Sequence, residues 1–203
     1  MDNIHRLQEI FNHFPGIGPR QARRFVYYLM NKSPSFLSEF TKLVSEMKKS
    51  VFECTSCHRF SVISDNKDKS STCSICSDTN RDSSLLLVVA RDADLETIES
   101  SGAYKGGYFV LGGSVPILDK EPQKRIRLEA LLTQVSARRG LAEIVISMNS
   151  TPEGDHTANI VRDAIMRIKK DLKISVLGRG ISTGAELEYL DRDTIQNALQ
   201  NRH

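Results

Sequence analysis

The chain of 203 residues has no tryptophan and only 6% aromatic residues, and nowhere does it approach the roughly 18 consecutive apolar residues that a membrane-crossing helix requires. Its first residues, Met-Asp-Asn-Ile-His-Arg, lack the apolar centre of a secretory leader, so a cytoplasmic protein is expected. Net charge is also scarce. At +3 it excludes a field that covers the whole molecule, and any contact with a polyanion must come from a local patch. The 39% apolar content still suffices for a globular chain of one or two domains with a real core in the larger part. Acid is missing from one stretch in particular: residues 15–32 contain Arg20, Arg23, Arg24 and Lys32 and no carboxylate. The tail reverses this balance, with Glu186, Glu188, Asp191 and Asp193 against Arg192 and Arg202.

Cysteine is rare too, and its four copies are not scattered. They form two pairs, Cys54-Thr-Ser-Cys57 and Cys73-Ser-Ile-Cys76, spaced C-x2-C-x15-C-x2-C. Two such knuckles bring four thiolates into the tetrahedron that Zn²⁺ accepts. In a reducing compartment paired cysteines serve as metal ligands rather than disulfides. Four thiolates also close the coordination shell, so the expected zinc is structural and carries no catalytic water. His58 adjoins the first knuckle as a spare ligand that a complete quartet does not need. Between the knuckles, Ser61 to Thr72 is rich in Ser, Asp and Lys and reads as an exposed hairpin or loop that folds only with the metal. The quartet separates a basic helical segment from an alternating strand and helix region, the position of a brace.

In the N-terminal segment, Ile4, Leu7, Ile10, Phe11 and Phe14 recur at helical spacing until Pro15-Gly-Ile-Gly-Pro19 breaks the pattern. A second helix from about Arg20 places Arg20, Arg23, Arg24 and Tyr27 on one face and Ala22, Phe25, Val26 and Leu29 on the other. Gly16 and Gly18 permit a tight turn, and Pro19 suits the first helical position. Amides freed at that helix start can receive a phosphate ringed by Arg20, Arg23 and Arg24, a contact that positions DNA without reading bases. An ordinary helix connection with a solvated face is the alternative. Phe36, Leu37, Phe40, Leu43, Val44 and Met47 mark a third amphipathic helix over residues 36–49, expected to close a small N-terminal core, with a partner-binding helix as the alternative.

From residue 85 continuous apolar strands alternate with helices. Strands are expected at 85–90, 108–111, 143–148 and 174–177, and helices at 94–101, 125–139, 153–169 and 191–201, which predicts a mostly parallel sheet covered on both faces. Ligand sites in such sheets lie beyond the carboxyl ends of strands. Asp92 and Asp94 follow the first strand there, and Glu153 and Asp155 follow the third. These acids suit Mg²⁺ chemistry, or equally a helix cap and a first helical turn. Gly178-Arg-Gly-Ile-Ser-Thr-Gly184 lacks nucleotide-loop spacing and reads as a tight connection.

In their order, Pro15-Gly-Ile-Gly-Pro19, the cysteine quartet with Cys73-Ser-Ile-Cys76-Ser-Asp and Arg81-Asp82, Gly107-Tyr-Phe-Val-Leu-Gly-Gly113, Pro152-Glu-Gly-Asp-His-Thr-Ala158 and Gly184-Ala-Glu-Leu-Glu-Tyr-Leu-Asp191 resemble the bacterial RecR family of recombination mediators along nearly the whole chain. The resemblance implies an α+β multidomain protein: a helix-hairpin-helix at residues 1–52, a four-cysteine zinc finger at 53–78, a Toprim domain at 79–173, and a C-terminal strand and helix at 174–203 that helps close an oligomer. It also implies no catalysis. Family members assemble as dimers and ring-like tetramers around DNA and, with RecO and in some cases RecF, help RecA replace single-strand-binding protein at gaps. Arg20 stands where the family commonly has lysine and Arg24 matches its arginine, while Glu153 and Asp155 occupy an acidic motif linked to RecO. Three departures stand out. Ala90 replaces a Toprim glutamate, which removes a general acid/base candidate and favours binding over chemistry. Phe109 replaces a frequent histidine, and Asp119-Lys-Glu-Pro122 replaces a glycine-containing loop.

Overall fold

Short polar residues, glycine and proline set the helix starts of the first fifty residues. In a computed structural model of the protein, which describes residues 2–63, 71–119, 121 and 124–201, the chain divides into two compact units, Met1–Val51 and Phe52–His203. Helix α1 spans Asn3–Asn12 behind Asp2, whose carboxylate accepts from the His5 amide at 2.9 Å. Helix α2 spans Pro19–Met30 and α3 Pro34–Met47, each with proline in its first turn. The Ser33 hydroxyl caps α3 by accepting from the Phe36 amide.

Within this first unit α1 packs on α2. Ala22 and Val26 are fully buried, and Phe11 meets Phe25 edge to face at 5.6 Å. The expected role of α3 is not realised in the single chain. None of its residues is buried, and Leu43, Val44 and Met47 are each more than half exposed. The periodicity of Phe36, Phe40 and Leu43 is real, but within the unit it is met only in part: Phe36 meets Tyr28 of α2 edge to face at 6.5 Å, while Leu43, Val44 and Met47 stay open.

At the boundary, where Val51 is the last residue of the first unit, a small hairpin pairs β1 (Val51–Glu53) with β2 (Phe60–Val62), and a single helical turn, α4 (Ser74–Ser77), follows in the second unit. Of the loop expected at Ser61 to Thr72, Ser61 and Val62 belong to β2, and residues 64–70 lie outside the described residues, as do Lys120 and Pro122 of the departing loop. Next come β3 (Asp82–Val89), α5 (Asp92–Ser100), β4 (Gly106–Val110), α6 (Leu128–Ala137), β5 (Glu143–Ser147), α7 (Pro152–Ile168) and β6 (Lys173–Val176). A 3-10 turn at Leu187–Tyr189 and α8 (Arg192–Gln200) complete the order.

The four long strands lie in the order β4-β3-β5-β6, every neighbouring pair parallel. β3 is therefore central, which explains its unbroken apolar run: alternate residues serve opposite faces. Leu86 and Val88 join Phe109, Leu111, Ile144 and Ile146 under α6 and α7, where Leu131, Val135, Val161 and Ile165 are buried. Leu87 and Val89 join Tyr108 and Val110 on the other face, which is covered by Leu95 of α5 and by Cys54, Cys57, Cys73 and Ile75. The cysteine module is thus one wall of the second core. No helix among the described residues is long and apolar enough to cross a membrane.

Candidate functional site

The ligand sulfurs are gathered by backbone geometry at two turns. After β1, the Cys54 carbonyl accepts from the His58 amide at 2.9 Å, and His58 takes a left-handed φ of 61° that closes the first knuckle. The second knuckle starts at Cys73, which precedes α4 and whose amide donates to the Cys54 sulfur at 3.3 Å. The four ligand atoms of Cys54, Cys57, Cys73 and Cys76 all lie within 4.8 Å of one another. Cys57 and Cys73 sulfurs stand 3.6 Å apart, and only Cys76 is partly open to solvent. Hydrogen bonding with Cys73 drives the Cys57 thiol up, and the same bond drives Cys73 down. Four sulfurs so close carry four negative charges together only when a cation shares them, so the donor set fits a closed tetrahedral thiolate shell.

His58 is not part of that set. Its Nδ1 lies 2.8 Å from Glu53 Oε1, and its ring meets Phe109 edge to face at 5.1 Å. Phe109 itself is fully buried beneath α6 and α7. Three polar contacts then fasten the module to the sheet. The Val110 amide donates to the Cys57 carbonyl at 2.8 Å, the Phe60 amide donates to Asp92 Oδ1 at 2.8 Å, and Arg127 Nε lies 3.2 Å from Glu53 Oε1. Arg127 reaches Glu53 across Gly112, where φ is +93° and a Cβ would come within 2.6 Å of Nη1. Glu53 and Arg127 were not marked by sequence reasoning, since their partners lie far along the chain, and Gly112 was marked only as part of the Gly107 to Gly113 segment.

The four acids take separate tasks. Asp92 holds Phe60, and Asp94 accepts from the Arg91 amide at 2.9 Å at the start of α5. Glu153 lies in the first turn of α7, and Asp155 is ion-paired with Arg179. Among the described residues the cysteine quartet is the only set of three or more metal-ligating side chains close enough to share an ion. The structure does not bring Asp92, Asp94, Glu153 and Asp155 together. The Pro-Glu-Gly-Asp-His-Thr segment has an internal logic as well. A Cβ at Gly154 would sit 2.0 Å from the Asn149 carbonyl oxygen, and buried Thr157 accepts from the Val115 amide while donating to the Glu153 carbonyl.

Arg81 also has a clear place. Its guanidinium grips Glu99 through two bonds of 2.7 Å, and its Nε donates to the Gly106 carbonyl at 2.9 Å, which fixes the start of β4. The Arg81 bond holds the Glu99 carboxyl below the usual carboxylate range, and Tyr108 adds a donor at 2.9 Å.

In the first unit, Gly16 adopts φ +74° and Gly18 precedes α2 with no side-chain cap, and neither has an atom within 4 Å of where a Cβ would stand. The turn is therefore open, with uncapped amides at a helix start. Arg20, Arg23 and Arg24 are exposed on α2 and form no ion pair among the described residues. Arg24 alone makes a side-chain bond, a 3.4 Å contact to Gln21.

Comparison with known proteins places these features in a family context. Residues 84–178 match the model of the Toprim domain, and residues 180–203 match the model described as RecR, C-terminal. Over 199 residues, 98% of this chain and 94% of the relative, the sequence is 35% identical to the recombination protein RecR of Methylobacterium radiotolerans. The same coverage and identity hold for RecR of Methylocella silvestris, and RecR of Rhizobium etli is 34% identical.

Proposed function

The chain belongs to the RecR family of recombination proteins, and from that premise we propose that it is a non-catalytic, DNA-binding mediator of recombinational repair, braced by one structural zinc ion. The observation that carries the DNA reading is the uncapped turn at Gly16 and Gly18, followed by Arg20, Arg23 and Arg24 with no carboxylate paired to them. Backbone amides and guanidinium groups there suit phosphate, so the contact positions DNA independently of sequence.

Zinc is supported by the donor set. A Zn–S bond of about 2.3 Å places neighbouring sulfurs about 3.8 Å apart, close to the 3.6 Å between Cys57 and Cys73. When bound, the ion holds four thiolates and offers no open position to water. Ala90, buried where the family's Toprim glutamate is frequent, removes a general acid/base and supports a binding role.

The acidic edge formed by Glu153 and Asp155 is assigned to a protein partner, RecO first, with RecF in some assemblies. A cationic partner group there competes with Arg179 for Asp155. Together they promote RecA loading at single-strand gaps in the cytoplasm. The domain assignment is a helix-hairpin-helix at 1–52, a zinc finger at 53–78, a Toprim domain at 79–173 and an oligomerisation segment at 174–203. Self-association as a dimer or ring-like tetramer is supported by the exposed apolar side chains of α3 and by Leu187, Tyr189 and Leu199 of the C-terminal segment.

The test is fluorescence anisotropy on gapped DNA with Arg20 and Arg24 both changed to alanine. Affinity at low salt should fall while metal content and thermal midpoint stay at wild-type values. Unchanged affinity would remove the hairpin as the DNA site. Solution mass of the wild type with and without gapped DNA separates a closed ring from a monomeric binder.

A further inference from the structure

The amino-terminal edge of the large sheet carries charge that the functions above leave unused. Two loops meet there, residues 138–142 before β5 and residues 169–172 before β6, because Glu143 and Lys173 stand opposite each other at the starts of those strands. A groove of about 630 Å³ is lined there by Leu141, Ala142, Ile168 and Leu172, by the cations Arg167, Lys169 and Lys170, and by the carboxylate of Asp171. Residues 138–143 and 167–173 hold six cations, Arg138, Arg139, Arg167, Lys169, Lys170 and Lys173, against the two carboxylates of Glu143 and Asp171. That excess is larger than the +3 of the whole chain, so all other residues taken together are net acidic.

Only part of this charge is used internally. Lys173 pairs with Glu143 at 2.9 Å, and Lys169 Nζ donates to the Arg138 carbonyl at 3.0 Å. Arg139, Arg167 and Lys170 have no ion pair or side-chain hydrogen bond among the described residues. Arg138 is not part of the groove: its guanidinium lies against Gly107 of β4, where Nη1 is buried without an acceptor. Helices α6 and α7 both end at this edge, and a helix C-terminus favours a cation by about 0.3–1 kcal/mol. That preference explains one or two positive groups per helix. With Arg138 turned to β4, five cations remain against Glu143 and Asp171, and this local excess of positive charge suits an anion.

We propose that this edge is a second nucleic-acid contact, one that takes the phosphodiester backbone. The residues lining the groove include no aromatic side chain, so bases find nothing to stack on and the contact is blind to sequence. The inference rests on the DNA-binding reading above, because DNA held at the hairpin raises the effective concentration of phosphate at any other basic surface of the chain. An acidic protein segment is the competing occupant, and the experiment includes it.

The test changes Arg139, Arg167 and Lys170 together to glutamine, which leaves the internal contacts of Lys169 and Lys173 in place. Binding is measured across a salt series on duplex and on single-stranded oligonucleotides of equal length. Loss of three phosphate contacts should flatten the plot of log affinity against log salt by up to about 2.7 on duplex or about 2.1 on single strands, and the substrate that responds identifies the source of the phosphate. A charge-preserving variant, Arg139→Lys with Arg167→Lys and Lys170→Arg, should keep the wild-type slope. Thermal midpoints verify folding, and the single Lys170→Gln change, worth up to about 0.9 in slope on duplex, serves if the triple variant unfolds. Wild-type slopes on both substrates overturn the inference, and they leave the hairpin reading intact if the Arg20 and Arg24 variant still binds weakly. A flattened slope here together with an unaffected hairpin variant supports this edge and rejects the hairpin. A polyglutamate probe that binds wild type but not the triple variant, with DNA slopes unchanged, gives the groove to an acidic protein and also overturns the proposal.

Discussion

Replacing Cys54 by serine removes one of four ligands, but its effect should reach well beyond the knuckle. Cys54, Cys57, Cys73 and Ile75, with Leu95 of α5, cover a sheet face made of Leu87, Val89, Tyr108 and Val110. Full burial of such side chains contributes about 1.5–3 kcal/mol each, so re-exposing half of that surface on the four sheet-side residues removes about 3–6 kcal/mol. This is comparable with the about 5–15 kcal/mol by which whole domains are stable, and the lost metal-binding energy adds to it. For a unit of this size each kcal/mol moves the melting midpoint by roughly 2–4 °C, so a drop of about 10 °C or more is expected. Metal content, thermal unfolding and limited proteolysis on the purified variant are the assay, and chelation of the wild type should reproduce the result. A metal-free Cys54→Ser protein with an unchanged midpoint would refute the reasoning, because it would mean that the sheet face is held without the module.

Gly154→Ala should lower stability by about 1–3 kcal/mol or more, because its Cβ meets the Asn149 backbone oxygen rather than a movable side chain; a wild-type denaturation midpoint would exclude that clash. Arg81 holds the Glu99 carboxyl below its unfolded value, so its stabilisation is complete above the ordinary carboxylate range and is lost as pH falls through the folded value. Glu99→Gln should therefore destabilise at neutral pH and flatten the acid limb of the pH–stability curve, and an acid limb parallel to wild type would show that Glu99 contributes nothing there. Supercoiled DNA incubated with the protein and Mg²⁺ or Mn²⁺ should stay intact; metal-dependent nicking that disappears in Glu153→Ala would establish a nuclease instead of a binder.

Much of this was legible in the residues because it follows from short periods. The run from Leu85 to Ala90 reads as a buried strand, and Leu85 to Val89 lie in β3, one of the two inner strands of the sheet. The cysteine spacing named its own geometry, and the quartet lies within 4.8 Å. Long-range polar contacts have no such period. Nothing near Asp92 points to Phe60, 32 residues earlier, and nothing near Glu53 points to Arg127. Both are decided by how the hairpin settles on the sheet. Asp94, expected as the cap of a helix over residues 94–101, is instead the third residue of a helix that starts at Asp92, and its carboxylate reaches back to the amide of Arg91, the true N-cap. The apolar stripe of α3 illustrates the remaining gap: periodicity tells which face wants cover, but not whether the same chain supplies it.

The bond from the Val110 amide to the Cys57 carbonyl has a further consequence. β4 is the outermost strand on its side of the sheet, and outer strands offer unpaired amides to any other chain that can extend alongside them. The first cysteine knuckle occupies one of those amides with its own backbone. Loss of metal would therefore do more than loosen a loop: it would uncover a strand margin, and metal-depleted protein should be lost to intermolecular strand pairing before it is lost to simple unfolding. A metal held by the quartet would in this way safeguard solubility, keeping the margin of one sheet from recruiting the next.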